Sequence, residues 1–377
     1  MRIALIAGEP SGDFLGGGLI EALKIEWPDA RFEGIGGERM TAAGLESLFP
    51  LASLSVMGFM EVLSHLPRLL FIRRVLRQRW LHNPPDLFIG IDSPDFNLGI
   101  SSVLKPAGIP CVQYVSPTVW AWRPQRIHTL RKAVDRVLCI FPFEHKFLKN
   151  QKIDSVFVGH PLADAIDVEL DHGAARSKLN FSPTNPLLAI LPGSRRSEVD
   201  RLLPVFCETA MQLKQRWPAM EFVIPAATDD LLPVLERKIA KGGLFDAKVI
   251  RGQARTALAA ADAGLVASGT ATLEAMLSKC PSIMAYRVNP VTAMLVRRSL
   301  SIDFFAMPNL MAGEMVMPEF VQDDATADHI TPVISSLLES PDSRTEISER
   351  FGSLHQALKR NADQQAARAA LALVLRG

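Results

Sequence analysis

Two doubly wound α/β domains are the fold predicted for this 377-residue chain. Three observations lead there. Short, almost wholly apolar runs ending in Gly, Asp, Ser or Pro alternate with longer helical patterns, as parallel strands covered on both faces by crossover helices require. The runs form two series divided by a single long polar break. The length, at about 150 residues per domain, also reads as two domains.

The first series is Ile3–Gly8, Phe32–Gly37, Leu87–Asp92, Cys111–Ser116, Arg136–Phe141 and Val156–His160. The break, Asp164 to Pro186, holds Asp-Val-Glu-Leu-Asp-His from Asp167 and Ser-Pro-Thr-Asn-Pro from Ser182. The second series is Leu187–Gly193, Glu221–Ala226, Lys248–Gly252, Gly264–Gly269 and Ser282–Arg287. Domains are therefore expected at 1–170 and 171–345, with a helical segment, 346–377, packing across both. The stretch from about Ser340 to Arg376 is rich in Ala, Gln and Arg and reads as one interfacial helix. Ligands of such sheets bind at the carboxyl ends of the strands.

Hydrophobic residues make up 48% and charged residues 21%, which excludes a disordered chain. Lys+Arg is 41 against Asp+Glu 40, a net charge of +1. No global basic field draws nucleic acid, so an anionic partner is met locally. Cys111, Cys139, Cys207 and Cys280 form no CxxC and read as free thiols in a reducing compartment. The chain opens on a strand-like run, without signal-peptide anatomy, and has no apolar stretch of membrane-spanning length; a cytoplasmic location is expected. The histidines form no HxxxH or HExxH pair, and neither metal nor cofactor is expected.

Five segments carry chemistry. Gly8-Glu-Pro-Ser-Gly-Asp13, followed by Gly16-Gly-Gly18, sits at the first strand-to-helix turn. Its glycines permit close approach of a ligand and its helix N-terminus suits an anion; a plain turn capped by Ser11 or Asp13 explains it equally well. Gly90-Ile-Asp-Ser-Pro-Asp-Phe-Asn97 gathers Asp92, Asp95 and Asn97 at a strand end. Asp92 is the better general-base candidate, and Asp95 reads as the N-cap of the next helix. Leu191-Pro-Gly-Ser-Arg-Arg-Ser-Glu198 joins a Gly-Ser turn to two arginines at a helix start, which suits a diphosphate. Ala267-Ser-Gly-Thr-Ala-Thr-Leu-Glu274 offers a second small-residue turn, with Glu274 placed either to accept ribose hydroxyls or merely to complement the helix dipole. Leu54–Trp80 is leucine-rich, and its arginines have no acidic neighbour from Leu66 to Trp80. It reads equally as a core helix with a solvated basic face and as a membrane-surface helix touching lipid through Leu66, Leu69, Leu70, Arg73, Arg74, Leu76 and Arg77.

Taken together the motifs resemble the lipid-A-disaccharide synthases. GEPSGD (Gly8–Asp13), VMGFMEVL (Val56–Leu63), GIDSPDFN (Gly90–Asn97), YVSPTVWAWR (Tyr114–Arg123) and PFE (Pro142–Glu144) follow that family's order. GHPLAD (Gly159–Asp164), LPGSRRSEV (Leu191–Val199), SGTATLEAML (Ser268–Leu277) and PNLMAGE (Pro308–Glu314) continue it. Pro10 and Glu314 depart from the pattern, and no phosphate contact is assigned to Glu314.

The resemblance implies a metal-independent inverting glycosyltransferase of GT-B architecture, with the active site in the cleft between two Rossmann-like domains. It implies UDP-2,3-diacylglucosamine as donor and 2,3-diacylglucosamine 1-phosphate as acceptor, joined through the acceptor 6-hydroxyl into a β-1,6 tetraacyl disaccharide 1-phosphate with release of UDP. Asp92 is then the base; Gly193, Ser194, Arg195, Ser268, Gly269, Thr270, Glu274 and Asn309 bind the UDP donor; Glu9, Ser11 and Asp13 line the acceptor side. Peripheral contact with the cytoplasmic face of the inner membrane is expected, and a homodimer is allowed for. Two rivals remain: a UDP-N-acetylglucosamine 2-epimerase-type isomerase, which has no use for an acyl-binding surface, and a non-catalytic peripheral membrane protein, which leaves Asp92 and the Arg195 turn without work.

Overall fold

The computed structural model describes residues 1–54, 59–121, 125–244, 246–289 and 302–375, with side chains described for all of these except 59–65. The motif Val56–Leu63 and the end of YVSPTVWAWR at Trp122 and Arg123 therefore lie outside the described side chains. The chain divides into two compact units, Met1–Ala165 with Leu358–Gly377, and Ile166–Ala357.

In the first unit seven parallel strands run β1 (Arg2–Ala7), β2 (Arg31–Gly36), β3 (Leu45–Pro50), β4 (Leu87–Ile91), β5 (Cys111–Tyr114), β6 (Arg136–Cys139) and β7 (Ser155–Phe157). Between them lie α1 (Pro10–Glu26), α2 (Glu38–Ala42), α3 (Phe59–His82), α4 (Pro94–Leu104), α5 (Arg126–Ala133), α6 (Pro142–Asn150) and α7 (Pro161–Ala165). The sheet order is β3-β2-β1-β4-β5-β6-β7. Ile3 to Ala7 and Leu87 to Ile89 are wholly buried, because a central parallel strand is covered on both faces. Strand order reverses between β1 and β4, whose last residues Ala7 and Ile91 are paired. A ligand crevice opens at such a switch point.

The second unit repeats the plan. α8 (His172–Lys178) precedes β8 (Leu187–Leu191), α9 (Arg196–Arg216), β9 (Glu221–Ala226), α10 (Leu232–Lys241) and β10 (Lys248–Arg251). Then come α11 (Ala254–Ala260), β11 (Ala263–Ala267), α12 (Thr270–Leu277), β12 (Ser282–Tyr286) and β13 (Glu319–Val321). Its order, β10-β9-β8-β11-β12-β13, puts the switch between β8 and β11.

Near its end the chain forms two helices, Pro341–Leu358 and Ala362–Val374, where the sequence reads one. The first stops because the Leu358 carbonyl accepts from the His160 N–H at 3.0 Å and Asn361 turns left-handed at φ 56°. Asp164 then caps the second, accepting from the N–H groups of Asn361 (3.0 Å) and Ala362 (2.6 Å). The segment 346–377 is thus shared between the two units. All four cysteines are buried and free, and among the described residues no helix is long and apolar enough to cross a membrane.

Candidate active site

Asp92 is the first residue past β4. Its N–H still donates to the Tyr114 carbonyl at 2.9 Å, but its φ of 52° and that of Ser93, 40°, turn the chain left-handed and out of the sheet. Two consecutive non-glycine residues in that region are strained. Gly8, ending the β1 side of the same switch, makes room for the turn: a Cβ there would lie 2.0 Å from Ser93 Oγ. Pro94 then opens α4. The Asp92 carboxylate accepts from Ser11 Oγ at 3.5 Å across the switch. Burial raises its proton affinity, against the opposing bonds from the Ser93 N–H and the Ser11 hydroxyl. A carboxylate so placed suits proton abstraction.

Other first-unit residues take different places from those read in the sequence. Asp95 is not an N-cap: Ser93 holds that position, and Asp95 pairs with Arg126 at 2.7 Å. The N-cap of α1 is Glu9, not Ser11 or Asp13, and Glu9 and Ser11 are exposed on its first turn. Asp13, read for the acceptor side, is turned to the start of α2. It is buried, and its carboxylate accepts from the N–H groups of Gly37 (2.7 Å), Arg39 (3.1 Å) and Met40 (3.0 Å), the otherwise unpaired start of α2. Gly16 to Gly18 lie inside α1 and serve packing, since Cβ atoms there would press on Met40, Arg39 and Asp363 in turn.

The face of α3 also differs from the reading. Leu76 is core, wholly buried with Ile72 and Trp80, and Leu69 packs partly against that cluster. Arg73 donates to the Asp95 carbonyl at 3.3 Å, and Arg77 donates to that of Gly99, so both turn to α4. Arg79 pairs with the buried Glu33, which also accepts from Trp80 Nε1 at 2.7 Å. Among the described residues of α3 the exposed large apolar side chains are Leu66, Leu70, Phe71 and, near its end, Leu81, and Arg74 is exposed beside the first three.

In the second unit the turns after β8 and β11 flank the switch. Gly193 adopts φ 119°, and a Cβ on it would lie 2.5 Å from Glu198 Oε2. That oxygen accepts from the N–H groups of Ser194 (3.1 Å) and Arg195 (3.3 Å), so the donors read for a diphosphate already hold a carboxylate. This is the capping box of α9, in which Glu198, three residues into the turn, reaches back to the N-cap Arg195. The Arg195 side chain is 55% exposed and meets Glu198 at 3.4 Å, whereas Arg196 leans on Asp200 at 3.7 Å. Opposite, Gly269 (φ 95°) begins α12 with no side-chain cap and open space beside it, and Thr270 is exposed. Glu274, one turn in, is raised in proton affinity by burial and lowered by Arg255.

Asn309, read as a donor ligand, is held by the second unit's own loop. It is wholly buried; its amide donates to the Met317 carbonyl and Glu319, and its oxygen accepts from the N–H groups of Val316 and Met317. All four of its hydrogen-bonding valences are thereby used. Glu314 pairs with Arg350 at 2.5 Å.

Three residues near the switches escape the sequence reading. Gln113 is a lone amide in the apolar strand β5 and is wholly buried, a pattern that signals a polar task in a parallel strand. Glu144 is buried beneath the N–H groups of Ile140 and Phe141 (3.2 Å each), and burial, with the Asp92 charge adding, pushes it up to about 8. Glu198 closes the capping box described above.

Comparison with known proteins decides the family. A family model described as lipid-A-disaccharide synthetase matches residues 3–370. The chain belongs to the lipid-A-disaccharide synthetase family. A relative named lipid-A-disaccharide synthase, from Alkalilimnicola ehrlichii, is 46% identical over 375 residues, 99% of this chain and 98% of its own. Among solved structures, a putative UDP-N-acetylglucosamine 2-epimerase from Listeria monocytogenes superposes with a TM-score of 0.66 at 13% identity, covering 99% of this chain and 95% of that one. A glycosyltransferase from Rickettsia africae gives 0.61 at 11%, covering 100% and 97%. At these identities the likeness is one of fold, the two Rossmann-like units of the GT-B class.

Proposed function

We propose that the chain transfers 2,3-diacylglucosamine from UDP-2,3-diacylglucosamine to the 6-hydroxyl of 2,3-diacylglucosamine 1-phosphate, releasing UDP. The observation that carries this is kinship at 46% identity along 99% of the chain. Asp92 takes the proton of the acceptor 6-hydroxyl, that oxygen bonds to the anomeric carbon, and the bond to the UDP oxygen breaks on the opposite face, inverting the centre. Proton abstraction of this kind contributes about 10²–10⁴ in rate. In the second unit the exposed Arg195 guanidinium and the uncapped start of α12 at Ser268, Gly269 and Thr270 receive the diphosphate, and charge-assisted donors stabilise the charge it gains on leaving. Glu274 accepts the ribose hydroxyls. Glu9 and Ser11 face the acceptor.

Both substrates carry acyl chains, so the enzyme works at a bilayer. Leu66, Leu70 and Phe71 provide the apolar contact and Arg74 the attraction to anionic lipid. The test is mass spectrometry of the products from the two acylated sugars. A tetraacyl disaccharide phosphate formed in step with UDP supports the reading; UDP release without it, or an epimerised donor, overturns it.

A further inference from the structure

Around Asp92 the backbone is held by two buried amides from other positions. Asn97 Nδ2, on α4, donates to the Asp92 carbonyl at 2.8 Å and lies 3.3 Å from that of Ile91 and 3.4 Å from that of Ile6. Gln113 Nε2, on β5, donates to the same Asp92 carbonyl at 3.0 Å and lies 3.3 and 3.4 Å from those of Tyr114 and Val115. One oxygen thus receives both amides, and the two side chains tie together the carboxyl ends of β1, β4 and β5.

These ends are where the backbone is strained. Asp92 and Ser93 are left-handed, and Val115 stands at φ 73°, an outlier for a β-branched residue. Such conformations persist only where the surroundings over-determine them. The far ends of both amides, Asn97 Oδ1 and Gln113 Oε1, are buried without a hydrogen-bond partner. An orphaned buried oxygen is costly, so neither amide is placed for its own satisfaction. Gly90 gives them room: a Cβ there would lie 2.7 Å from Asn97 Cβ and 3.1 Å from Gln113 Oε1.

We infer that Asn97 and Gln113 are positioning residues, a paired amide clamp on the Asp92 carbonyl that holds the left-handed turn and so aims the Asp92 carboxylate at the acceptor hydroxyl. The inference rests on Asp92 being the base. A misplacement of the order of 1 Å in a reacting group costs about 10²-fold in rate, so loss of the clamp falls on kcat rather than on substrate affinity.

The test is a double-mutant cycle in the full-length enzyme. Gln113→Met keeps side-chain length and removes the donors. It is expected to lower kcat about 10²-fold with acceptor KM and UDP affinity within threefold of the parent. In an Asp92→Asn background, with the residual rate read from product accumulated over long incubations, the same substitution is expected to change the rate less than threefold, because there is no carboxylate left to aim. An equal loss in both backgrounds shows a merely structural amide and overturns the proposal, as does a kcat within threefold of the parent for Gln113→Met alone. If Gln113→Met melts below the assay temperature, Asn97→Ala takes its place in the cycle, and the same two results support or overturn the clamp. Failure of the underlying reading is distinct: it shows as Asp92→Asn turning over within tenfold of the parent.

Discussion

Replacing Leu66, Leu70 and Phe71 together by serine separates the two meanings of the α3 stretch. Their side chains are 41%, 50% and 61% exposed, whereas Leu76, on the same helix, is wholly buried. Complete burial of a leucine or phenylalanine is worth about 2 kcal/mol. With roughly half of each side chain open to a bilayer, the three contribute about 3 kcal/mol, or on the order of 10²-fold in partitioning. Exposed substitutions usually alter folding stability by less than about 0.5 kcal/mol. The triple variant is therefore expected to keep the parent's unfolding midpoint and UDP affinity while losing about 10²-fold in sedimentation with anionic vesicles. Leu76→Ser is expected to do the reverse, costing about 2–5 kcal/mol of stability through a cavity and a buried hydroxyl, with little change in the vesicle binding of the folded fraction. Unchanged vesicle binding by the triple variant refutes the membrane role of this face.

Arg195→Ala is expected to weaken UDP binding by titration calorimetry and Arg196→Ala to do so less, because Arg196 leans on Asp200; equal affinity of the Arg195 variant and the parent removes the diphosphate assignment. Asn309→Ala is expected to lower the unfolding midpoint, with UDP affinity retained by the folded protein, since it strips four buried bonds rather than a ligand contact. Glu144 is neutral in the fold up to about pH 8 but ionises near 4.5 when unfolded, so its contribution to stability is full below pH 4.5 and is lost as pH rises to about 8. Denaturant titrations are accordingly expected to show Glu144→Gln gaining on the parent across that interval, and a constant difference contradicts the burial of the acid.

The central strands are legible in the sequence because burial on both faces leaves unbroken apolar runs. β3 and β13 are not: Leu45-Glu-Ser-Leu-Phe-Pro and Glu-Phe-Val lie at sheet edges, half-exposed, and carry no such run. Asp92 is legible because a strand end fixes its place locally. What holds Asp13, Leu76 and Asn309 is not legible, because it is distant in the chain or set by helix rotation: the start of α2 for Asp13, the Trp80 cluster for Leu76, and the strand at Glu319 for Asn309. Periodicity marks which leucines share a helix, but packing decides which face turns inward, and in α3 it also draws two arginines onto α4 carbonyls.

A single displacement, in which the half-buried Asp92 carboxylate activates the acceptor hydroxyl, is the centre of the proposed chemistry. Its most direct measurement is the anomeric configuration of the new linkage, read by NMR from the product of an α-linked UDP donor, for the parent and for Asp92→Asn. The expected result is a β linkage from the parent and, from a variant that still binds UDP, a rate lower by about 10²–10⁴. An α linkage, or undiminished turnover without the carboxylate, contradicts the claim.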